Sequence, residues 1–229
     1  MAALETIAFD ADDTLWENLS FFEQVEADVV ELLTPFCEPE SFRTALHAAE
    51  KANLSVYGFG IKGFVLSMIE AAVATSEGRV DARAIGDIVD AGKAMLDHPI
   101  ELLPDVRETL EVLSGRYRLI VVTKGDLFHQ ERKIAASGLS DFFEAEQIVS
   151  EKNAAVYRRL FTAPDRTVMV GNAPRSDILP ALEAGAWAVH VPHDLIWDVE
   201  EAPIADHPRC RRIARLGELP GVLDAFEAA

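Results

Sequence analysis

Cysteine is scarce in this chain, and long apolar runs are absent. Only Cys37 and Cys210 occur among 229 residues, without histidines at metal-ligand spacing, so we expect neither a disulfide framework nor a zinc site. No stretch approaches the roughly 18 apolar residues of a membrane span. The start of the chain also lacks the basic segment and apolar stretch of a secretory signal. The sequence therefore predicts a cytoplasmic protein that does not bind a membrane.

Basic residues are also in short supply. Lysine and arginine together number 21 against 39 aspartates and glutamates, which gives a formal net charge of −18. Nucleic acids and anionic membrane surfaces favour basic proteins, so neither is expected as a partner. An anionic substrate would need local positive charge or a bound cation. A hydrophobic content of 49% predicts a sizeable core, with room for one substantial domain and a smaller one.

Short apolar runs alternate with amphipathic stretches in the second half of the chain. Strands are predicted at residues 6–9, 118–122, 145–149, 167–170 and 188–191, and helices at 104–114, 127–137, 151–161 and 177–184. Gly138 and Gly185 follow two of these helices, where glycine commonly ends a helix. Such alternation is typical of an α/β protein with a doubly wound parallel sheet, covered by helices on both faces.

Residues 17–98 have a different pattern, with helical periodicity and no convincing strand. Ser20 and Glu23 have the spacing of a capping box ahead of a helical apolar pattern, and residues 61–74 repeat that apolar spacing. We predict a smaller helical cap domain at residues 17–98. It would be inserted into a Rossmann-like α/β core made of residues 1–16 and 99–229.

The first predicted strand runs directly into Asp10-Ala11-Asp12-Asp13-Thr14-Leu15-Trp16. Ligands of open α/β sheets bind at the carboxyl ends of strands. Two carboxylates separated by one residue at such an end can share a divalent cation while one of them attacks an electrophile. The alternative is structural, because aspartates in turns often start helices, and Asp12 or Asp13 could do so here.

Two further predicted strands are followed by residues that suit phosphate. Thr123-Lys124-Gly125 offers a hydroxyl and successive backbone N–H groups, although an isolated motif of this kind is more often an ordinary turn. Lys124 is equally compatible with positive charge near a substrate and with a solvated loop. Lys152 is predicted in the first turn of a helix, where a cation is unfavourable unless it faces solvent or an anion.

Polar residues also follow the fourth predicted strand, from Gly171 to Asp177. Asp10, Asp177 and the backbone carbonyl of Asp12 would offer hard oxygen ligands to Mg²⁺ and leave positions for water and substrate. Asn172 could add its amide oxygen or hold a metal-bound water. Asp177 could instead cap the helix that follows.

Four loops thus present Asp/Asp, Thr, Lys and Asp in chain order, and in this the sequence resembles the haloacid dehalogenase-like hydrolase superfamily. The motifs of that superfamily are DxDx[TV], a strand-end Ser or Thr, a Lys and an acidic loop. The resemblance implies that Asp10 is a nucleophile that forms an aspartyl-phosphate. It implies that Asp12 is the general acid and base, and that Thr123 and Lys152 are also catalytic.

The resemblance extends to ligand binding. Thr123, Lys124, Gly125 and Lys152 would contact the substrate phosphate. Mg²⁺ would be held by a second set of residues, namely Asp10, Asp12, Asn172 and Asp177.

The chain departs from the family pattern at Asn172 and at Lys124, where many relatives carry a small or amide residue, and follows it in a third respect. Asn172 stands where the acidic loop commonly has Asp, which removes one negative charge from the predicted cation site. The helical insert stands where many members carry a mobile cap that contributes substrate contacts. Residues 57–64, with Lys62, are the candidate for such contacts because their glycines allow bending; a turn packed by aromatic residues is the alternative.

The sequence therefore predicts a Mg²⁺-dependent phosphatase that acts on a small phosphorylated metabolite. Three alternatives stay open at this point. A phosphotransferase or mutase could pass the same phosphoryl group to an acceptor. A 2-haloacid dehalogenase shares the fold and the nucleophile, although Asp12 argues against it. A catalytically weak binding module on the same fold is the third.

Overall fold

The computed structural model describes residues 3–228, and within them the chain forms six β-strands and nine α-helices. The strands are β1 (Thr6–Phe9), β2 (Arg118–Lys124), β3 (Ala145–Val149), β4 (Thr167–Gly171), β5 (Trp187–His190) and β6 (Cys210–Arg212). The helices are α1 (Leu19–Leu33), α2 (Pro39–Tyr57), α3 (Ile61–Thr75), α4 (Ala82–Leu96), α5 (Val106–Ser114), α6 (Leu127–Ser137), α7 (Ala154–Leu160), α8 (Leu179–Glu183) and α9 (Leu219–Ala228). None of the described helices is long and apolar enough to cross a membrane.

The chain divides into two compact units. The α/β unit contains the residues up to Leu19 and those from Ile100 onward, and the helical unit is Ser20–Pro99. The limits predicted from the sequence for the inserted domain, 17 and 98, fall close to those of the helical unit. All six strands belong to the α/β unit.

The sheet is parallel throughout, with strand order β3-β2-β1-β4-β5-β6. The chain starts at the centre with β1, fills one side with β2 and β3, and then crosses back to place β4 beside β1. Phe9 at the end of β1 therefore lies in register with Val121 of β2 and Val170 of β4. This reversal is a topological switch point, where loops from neighbouring strands diverge and leave room for a ligand.

Alternate residues of the strands pack against helices on opposite faces, as a doubly wound fold requires. One face buries residues of β1, β2 and β4 against α5, α6 and α9; its members include Ile7, Phe9, Val121, Val170, Leu110, Ile134 and Leu223. On the other face, Ala8, Val122 and Met169 pack against Tyr157 of α7, Phe161 directly after α7, and Ala181 of α8. The predicted fold class is therefore confirmed.

The helical unit has an apolar core of its own. Its largest fully buried side chains include Phe42, Leu46, Met68 and Ile88, which come from α2, α3 and α4. Gly58 and Gly60 connect α2 to α3 with φ values of 73° and 115°, a region that glycine adopts readily and other residues avoid. The helices of this unit are therefore held together by an apolar core of their own.

One helix start differs from the sequence prediction. Helix α1 begins at Leu19, so Ser20 lies inside it and the predicted Ser20/Glu23 capping box is wrong. The carboxylate of Asp13 instead accepts hydrogen bonds from the backbone N–H groups of Asn18, at 2.8 Å, and Leu19, at 3.0 Å. A cap from six residues upstream depends on the fold of the loop, which local spacing does not reveal.

Three smaller predictions also need correction. Helix α7 begins at Ala154 after the N-cap Asn153, so Lys152 precedes the helix and is not in its first turn. Strand β2 extends to Lys124, which places Thr123 inside the strand. Strand β6 was not predicted, because the exposed arginines in Cys210–Arg212 give no apolar pattern.

The helical unit contains a titratable group that should make its stability depend on pH. Burial raises the pKa of Glu50 from its usual 4.5 to about 7, with a contribution from Glu26 and opposition from His47. The pKa of Glu50 is higher in the folded than in the unfolded protein. Its favourable contribution to the free energy of unfolding is therefore complete below about pH 4.5 and is lost as pH rises through 7. Glu50→Gln should therefore stabilise the protein at pH 8 by about 1 to 2 kcal/mol, since partial exposure screens the full effect.

Urea unfolding of parent and variant at pH 4.5 and pH 8 measures this difference. Glu31→Gln is the matched control, because Glu31 is an exposed residue of α1. An equal stability of parent and Glu50→Gln at pH 8 would contradict the prediction.

Candidate active site

Every residue of the predicted site lies at the carboxyl edge of the sheet. Asp10 follows β1 directly, Thr123 and Lys124 end β2, and Asn172 follows β4. Lys152 lies between β3 and α7, and Asp177 lies in the single π-helical turn Pro174–Ile178. The parallel strands thus bring the Asp10 loop together with loops that lie more than 100 residues further along the chain.

A buried lysine connects two of these loops to the first. Lys152 Nζ donates to Asp10 Oδ1 and, at 2.7 Å, to Asp177 Oδ1. Lys152 is 4% exposed and Asp177 is fully buried. Charges removed from water to this degree persist only when they are paired. Lys152 therefore pairs with the two carboxylates, which agrees with the expectation from the sequence that it lies next to an anion.

The cluster of Asp10, Asp177 and Lys152 carries one more negative than positive charge. Burial and the charge of Asp177 raise the pKa of Asp10 above its usual range, and Lys152 only partly opposes this. Burial also acts to lower the pKa of Lys152, but the two carboxylates outweigh it and raise that pKa. A cation at Asp10 would neutralise the excess negative charge and lower the pKa of Asp10.

Asp177 owes its position to its own loop. Its Oδ2 accepts a hydrogen bond from the backbone N–H of Ala173 at 2.9 Å, so it does not cap α8 as the structural alternative proposed. Gly171, the last residue of β4, lies directly beneath it. A Cβ at Gly171 would lie 2.7 Å from Cβ of Asp177 and closer still to its carboxylate, so only glycine leaves space for this side chain.

Thr14 links the first loop to the fourth. Its hydroxyl lies 3.2 Å from Asn172 Oδ1 and 3.4 Å from Asp10 Oδ2, and it accepts a hydrogen bond from the Asn172 backbone N–H at 3.0 Å. The Asn172 carbonyl in turn accepts from Nε2 of His190 at 3.0 Å. Asn172 is therefore held close to Asp10, because its amide oxygen and an Asp10 oxygen both lie next to the Thr14 hydroxyl.

Asp12 has a separate set of partners. Its carboxylate accepts hydrogen bonds from Trp16 Nε1 at 2.7 Å, from Gln130 Nε2 at 3.1 Å, and from Lys133 Nζ. Burial alone would raise the pKa of Asp12, but Lys133 and these hydrogen bonds lower it below its usual value. Asp10 and Asp12 thus lie in different environments, and their pKa values are displaced in opposite directions.

The end of β2 presents the predicted phosphate-binding residues. Gln130 Nε2 donates to Thr123 Oγ1 at 2.6 Å, and the Thr123 hydroxyl in turn donates to the Lys124 carbonyl at 3.5 Å, a long contact that a closer acceptor could replace. Gly125 has a φ of 142°, and a Cβ there would lie 3.1 Å from the side chain of Gln130. Lys124 forms a half-buried ion pair with Glu200, whose other oxygen accepts from Ser176 Oγ at 2.7 Å.

Asp10 and Asp177 share the Lys152 ammonium, and an oxygen of Asp10 and the amide oxygen of Asn172 lie within 3.4 Å of the Thr14 hydroxyl. Carboxylate and amide oxygens are ligands that suit a divalent cation such as Mg²⁺. Carboxylate oxygens of Asp10 and Asp177, the amide oxygen of Asn172 and the backbone carbonyl of Asp12 are the candidates. The excess negative charge of the buried cluster is the structural observation that favours a cation.

Within residues 3–228, one group of three acidic or histidine side chains brings its ligand atoms close enough together to hold a metal, and it differs from the predicted one. Ligand atoms of Asp13, Glu17 and His193 all lie within 4.8 Å of one another. Asp13 already caps α1, and Nε2 of His193 lies 3.4 Å from the Glu17 carboxylate. These three residues are distinct from the predicted metal ligands, and only the Asp13 cap was anticipated from the sequence.

Comparison with known proteins decides the family. The sequence profile of the haloacid dehalogenase-like hydrolases matches residues 4–185. The chain belongs to this family. It is similar to a haloacid dehalogenase-like family hydrolase from Xanthomonas campestris, with 38% identity, a TM-score of 0.89, and coverage of 99% of this chain and 93% of that one.

Two further comparisons involve a phosphatase and a dehalogenase. The glyceraldehyde 3-phosphate phosphatase of Methanothermobacter thermautotrophicus is 26% identical over 207 residues, which cover 84% of this chain and 87% of that protein. A 2-haloacid dehalogenase from Pseudomonas syringae is 23% identical with a TM-score of 0.67, and covers 97% of this chain and 99% of that one. The second similarity shows the shared fold alone.

Several residues of this haloacid dehalogenase-like hydrolase were not anticipated from its sequence. Trp16, Gln130 and Lys133 surround Asp12, and Glu200 pairs with Lys124. One signal was present for α6, because Gln130 and Lys133 occupy the helix face that should be apolar. No comparable signal marks Glu200, which lies far along the chain and beyond the family match.

The close packing of Gly171 against Asp177 generates a prediction about the site. Gly171→Ala should destabilise the protein by about 1 to 3 kcal/mol, because the added methyl must displace a buried, hydrogen-bonded carboxylate. Denaturant midpoints of parent and variant measure the loss. Gly86→Ala is the matched control, because a Cβ at Gly86 of α4 meets open space and should stabilise the helix by about 0.5 to 1 kcal/mol. Equal effects of the two substitutions would contradict the prediction.

Proposed function

We propose that this hydrolase is a Mg²⁺-dependent phosphatase that acts through an aspartyl-phosphate on a small phosphorylated metabolite. The observation that carries the proposal is the buried cluster of Asp10, Lys152 and Asp177 at the switch point of the sheet. Asp10 there lies beside the ammonium of Lys152, its other carboxylate oxygen has a long 3.4 Å contact with the Thr14 hydroxyl, and the cluster has an excess of negative charge that a metal would balance. Asp12, held apart from this cluster, supplies a second carboxylate with a different environment.

The reaction divides into two displacements. In the first, a carboxylate oxygen of Asp10 attacks phosphorus, the bond from phosphorus to the leaving oxygen breaks, and that oxygen takes a proton from Asp12. In the second, a water oxygen attacks phosphorus, Asp12 accepts a proton from this water, and the bond to Asp10 breaks. Inorganic phosphate leaves, and both carboxylates return to their starting states.

The remaining residues stabilise charge and position the phosphoryl group. Lys152 holds Asp10 and offers positive charge beside it, while Thr123 can donate its hydroxyl proton to a phosphoryl oxygen and backbone N–H groups near Gly125 can do the same. Bound to Asp10, Asp177, Asn172 and the Asp12 carbonyl, Mg²⁺ would supply charge neutralisation for the phosphate. Because Lys124 forms an ion pair with Glu200, it contributes less directly to binding the phosphate.

The class of substrate follows from chemistry and from the relatives. A net charge of −18 disfavours polyanionic macromolecules, whereas a single phosphate can be held by the local site. The Methanothermobacter relative is named as a glyceraldehyde 3-phosphate phosphatase. Triose phosphates are therefore the first compounds to test.

Dehalogenation is the competing reaction, because a 2-haloacid dehalogenase shares the fold. That reaction forms an ester at carbon and expels a halide ion, which needs no proton from the enzyme. The hydrogen-bonded carboxylate of Asp12 would then have no role in expelling the leaving group. Its network of three donors favours the phosphatase.

The test is phosphate release from triose phosphates and related metabolites, with Mg²⁺ or with chelator. Asp10→Asn should lower turnover at least about 1,000-fold, because it removes the nucleophile, and it should leave the fold intact because it removes a surplus buried charge. Chelation should abolish turnover and added Mg²⁺ should restore it.

Asp87→Asn, an exposed aspartate of α4, is the matched control and should retain full activity. Turnover that survives chelation would refute the metal requirement. Turnover that survives Asp10→Asn would refute the nucleophile. Chloride release from 2-chloropropionate without phosphate release would favour the dehalogenase.

A further inference from the structure

Helix α6 places polar side chains on the face that packs against the sheet. Gln130 and Lys133 are three residues apart, so they lie on the same face, and they are only 3% and 7% exposed. Ile134 of the same helix belongs to the apolar core. Burying an amide and an ammonium is unfavourable unless each finds good partners. The partners they find are the predicted catalytic residues.

Gln130 joins two loops of the site. Its Nε2 donates both to Asp12 Oδ2, at 3.1 Å, and to Thr123 Oγ1, at 2.6 Å. An amide nitrogen has two protons, so both bonds can form at once. Gln130 therefore fixes the distance between the carboxylate of the first loop and the hydroxyl at the end of β2.

Two more donors complete the surroundings of Asp12. Lys133 Nζ pairs with Asp12 and also donates to Asn18 Oδ1 at 2.8 Å, so it cannot swing away without losing two partners. Trp16 Nε1 donates to Asp12 Oδ1 at 2.7 Å, and its indole ring is fully buried. Three rigidly held donors leave the Asp12 side chain a single orientation.

We propose that Gln130, Lys133 and Trp16 are positioning residues that hold Asp12 in place to activate water against the aspartyl-phosphate. This inference rests on the proposed function. A carboxylate so close to Asp10 could otherwise turn toward the same cation. The three donors hold it apart while Thr123, joined through Gln130, stays aligned with the phosphoryl oxygens. Misplacement of a catalytic group by about 1 Å can cost about 100-fold in rate.

The choice of substrate separates positioning from a merely structural role. With p-nitrophenyl phosphate, the nitrophenolate leaves without a proton, so attack by Asp10 does not depend on Asp12. Water attack on the aspartyl-phosphate still requires Asp12 as base. A misplaced Asp12 should therefore let the first displacement proceed and slow the second, and aspartyl-phosphate should accumulate.

The experiment is rapid-mixing measurement of nitrophenolate release in the presence of Mg²⁺. Lys133→Met should give a burst approaching one equivalent per enzyme, followed by a steady-state rate about 100-fold below the parent. Trp16→Phe, which keeps an aromatic ring and removes one donor, should give a smaller loss of the same kind. Lys133→Arg should recover part of the rate because it can still donate to Asp12.

A double-mutant cycle tests whether these residues act through Asp12. Asp12→Asn should itself slow the second displacement, and adding Lys133→Met to it should have little further effect, because the group being positioned is already disabled. Glu131→Gln, an exposed position of the same helix, is the matched control and should behave like the parent.

Three results would overturn the inference. These are parent-like rates in both Lys133→Met and Trp16→Phe, equal slowing of burst and steady state in either folded variant, or additive losses in the double mutant. If Lys133→Met does not fold, Trp16→Phe and Gln130→Met decide the matter by the same readout. A parent enzyme without any phosphate turnover would instead refute the proposed function, and the positioning role with it.

Discussion

The buried pairing of Lys152 with Asp10 and Asp177 is the interaction on which the site depends. Each of these charged groups is removed from water, and none would remain charged there without the others. The pairing ties together the loops that follow β1, β3 and β4, so the position of each loop is set by the other two. Its excess negative charge also explains why the same place suits a metal cation.

The doubly wound sheet makes this pairing possible. Parallel strands end at one edge, and the switch point beside β1 leaves room for the loops to converge. Local details then refine the geometry. Gly171 leaves space for Asp177 where any Cβ would intrude, and Thr14 connects Asp10 with Asn172 through one hydroxyl. Among the described residues, every buried side-chain polar atom has a hydrogen-bond partner, so the polar groups are compatible with the apolar core beneath.

Three aspartates near the start of the chain have three different roles. Asp10 pairs with Lys152, Asp12 is surrounded by donors from α6 and Trp16, and Asp13 caps α1. Their environments rather than their chemistry distinguish them, since the side chains are identical. The helix-capping alternative, raised for Asp12 or Asp13 from the sequence, was therefore correct for Asp13.

The sequence by itself determined the fold class, most element positions and the residues that meet at the sheet edge. Apolar periodicity and strand-end motifs are local signals, and the chain order of Asp10, Thr123, Lys152 and Asp177 identified the family pattern. Only the tertiary structure decided that Lys133 and Gln130 hold Asp12, that Lys124 pairs with Glu200, and that β6 forms the sheet edge. These contacts join residues separated by 76 to 121 positions, or depend on an edge strand without an apolar pattern. Spacing along a chain carries no information about such distant pairs, because only packing brings them together.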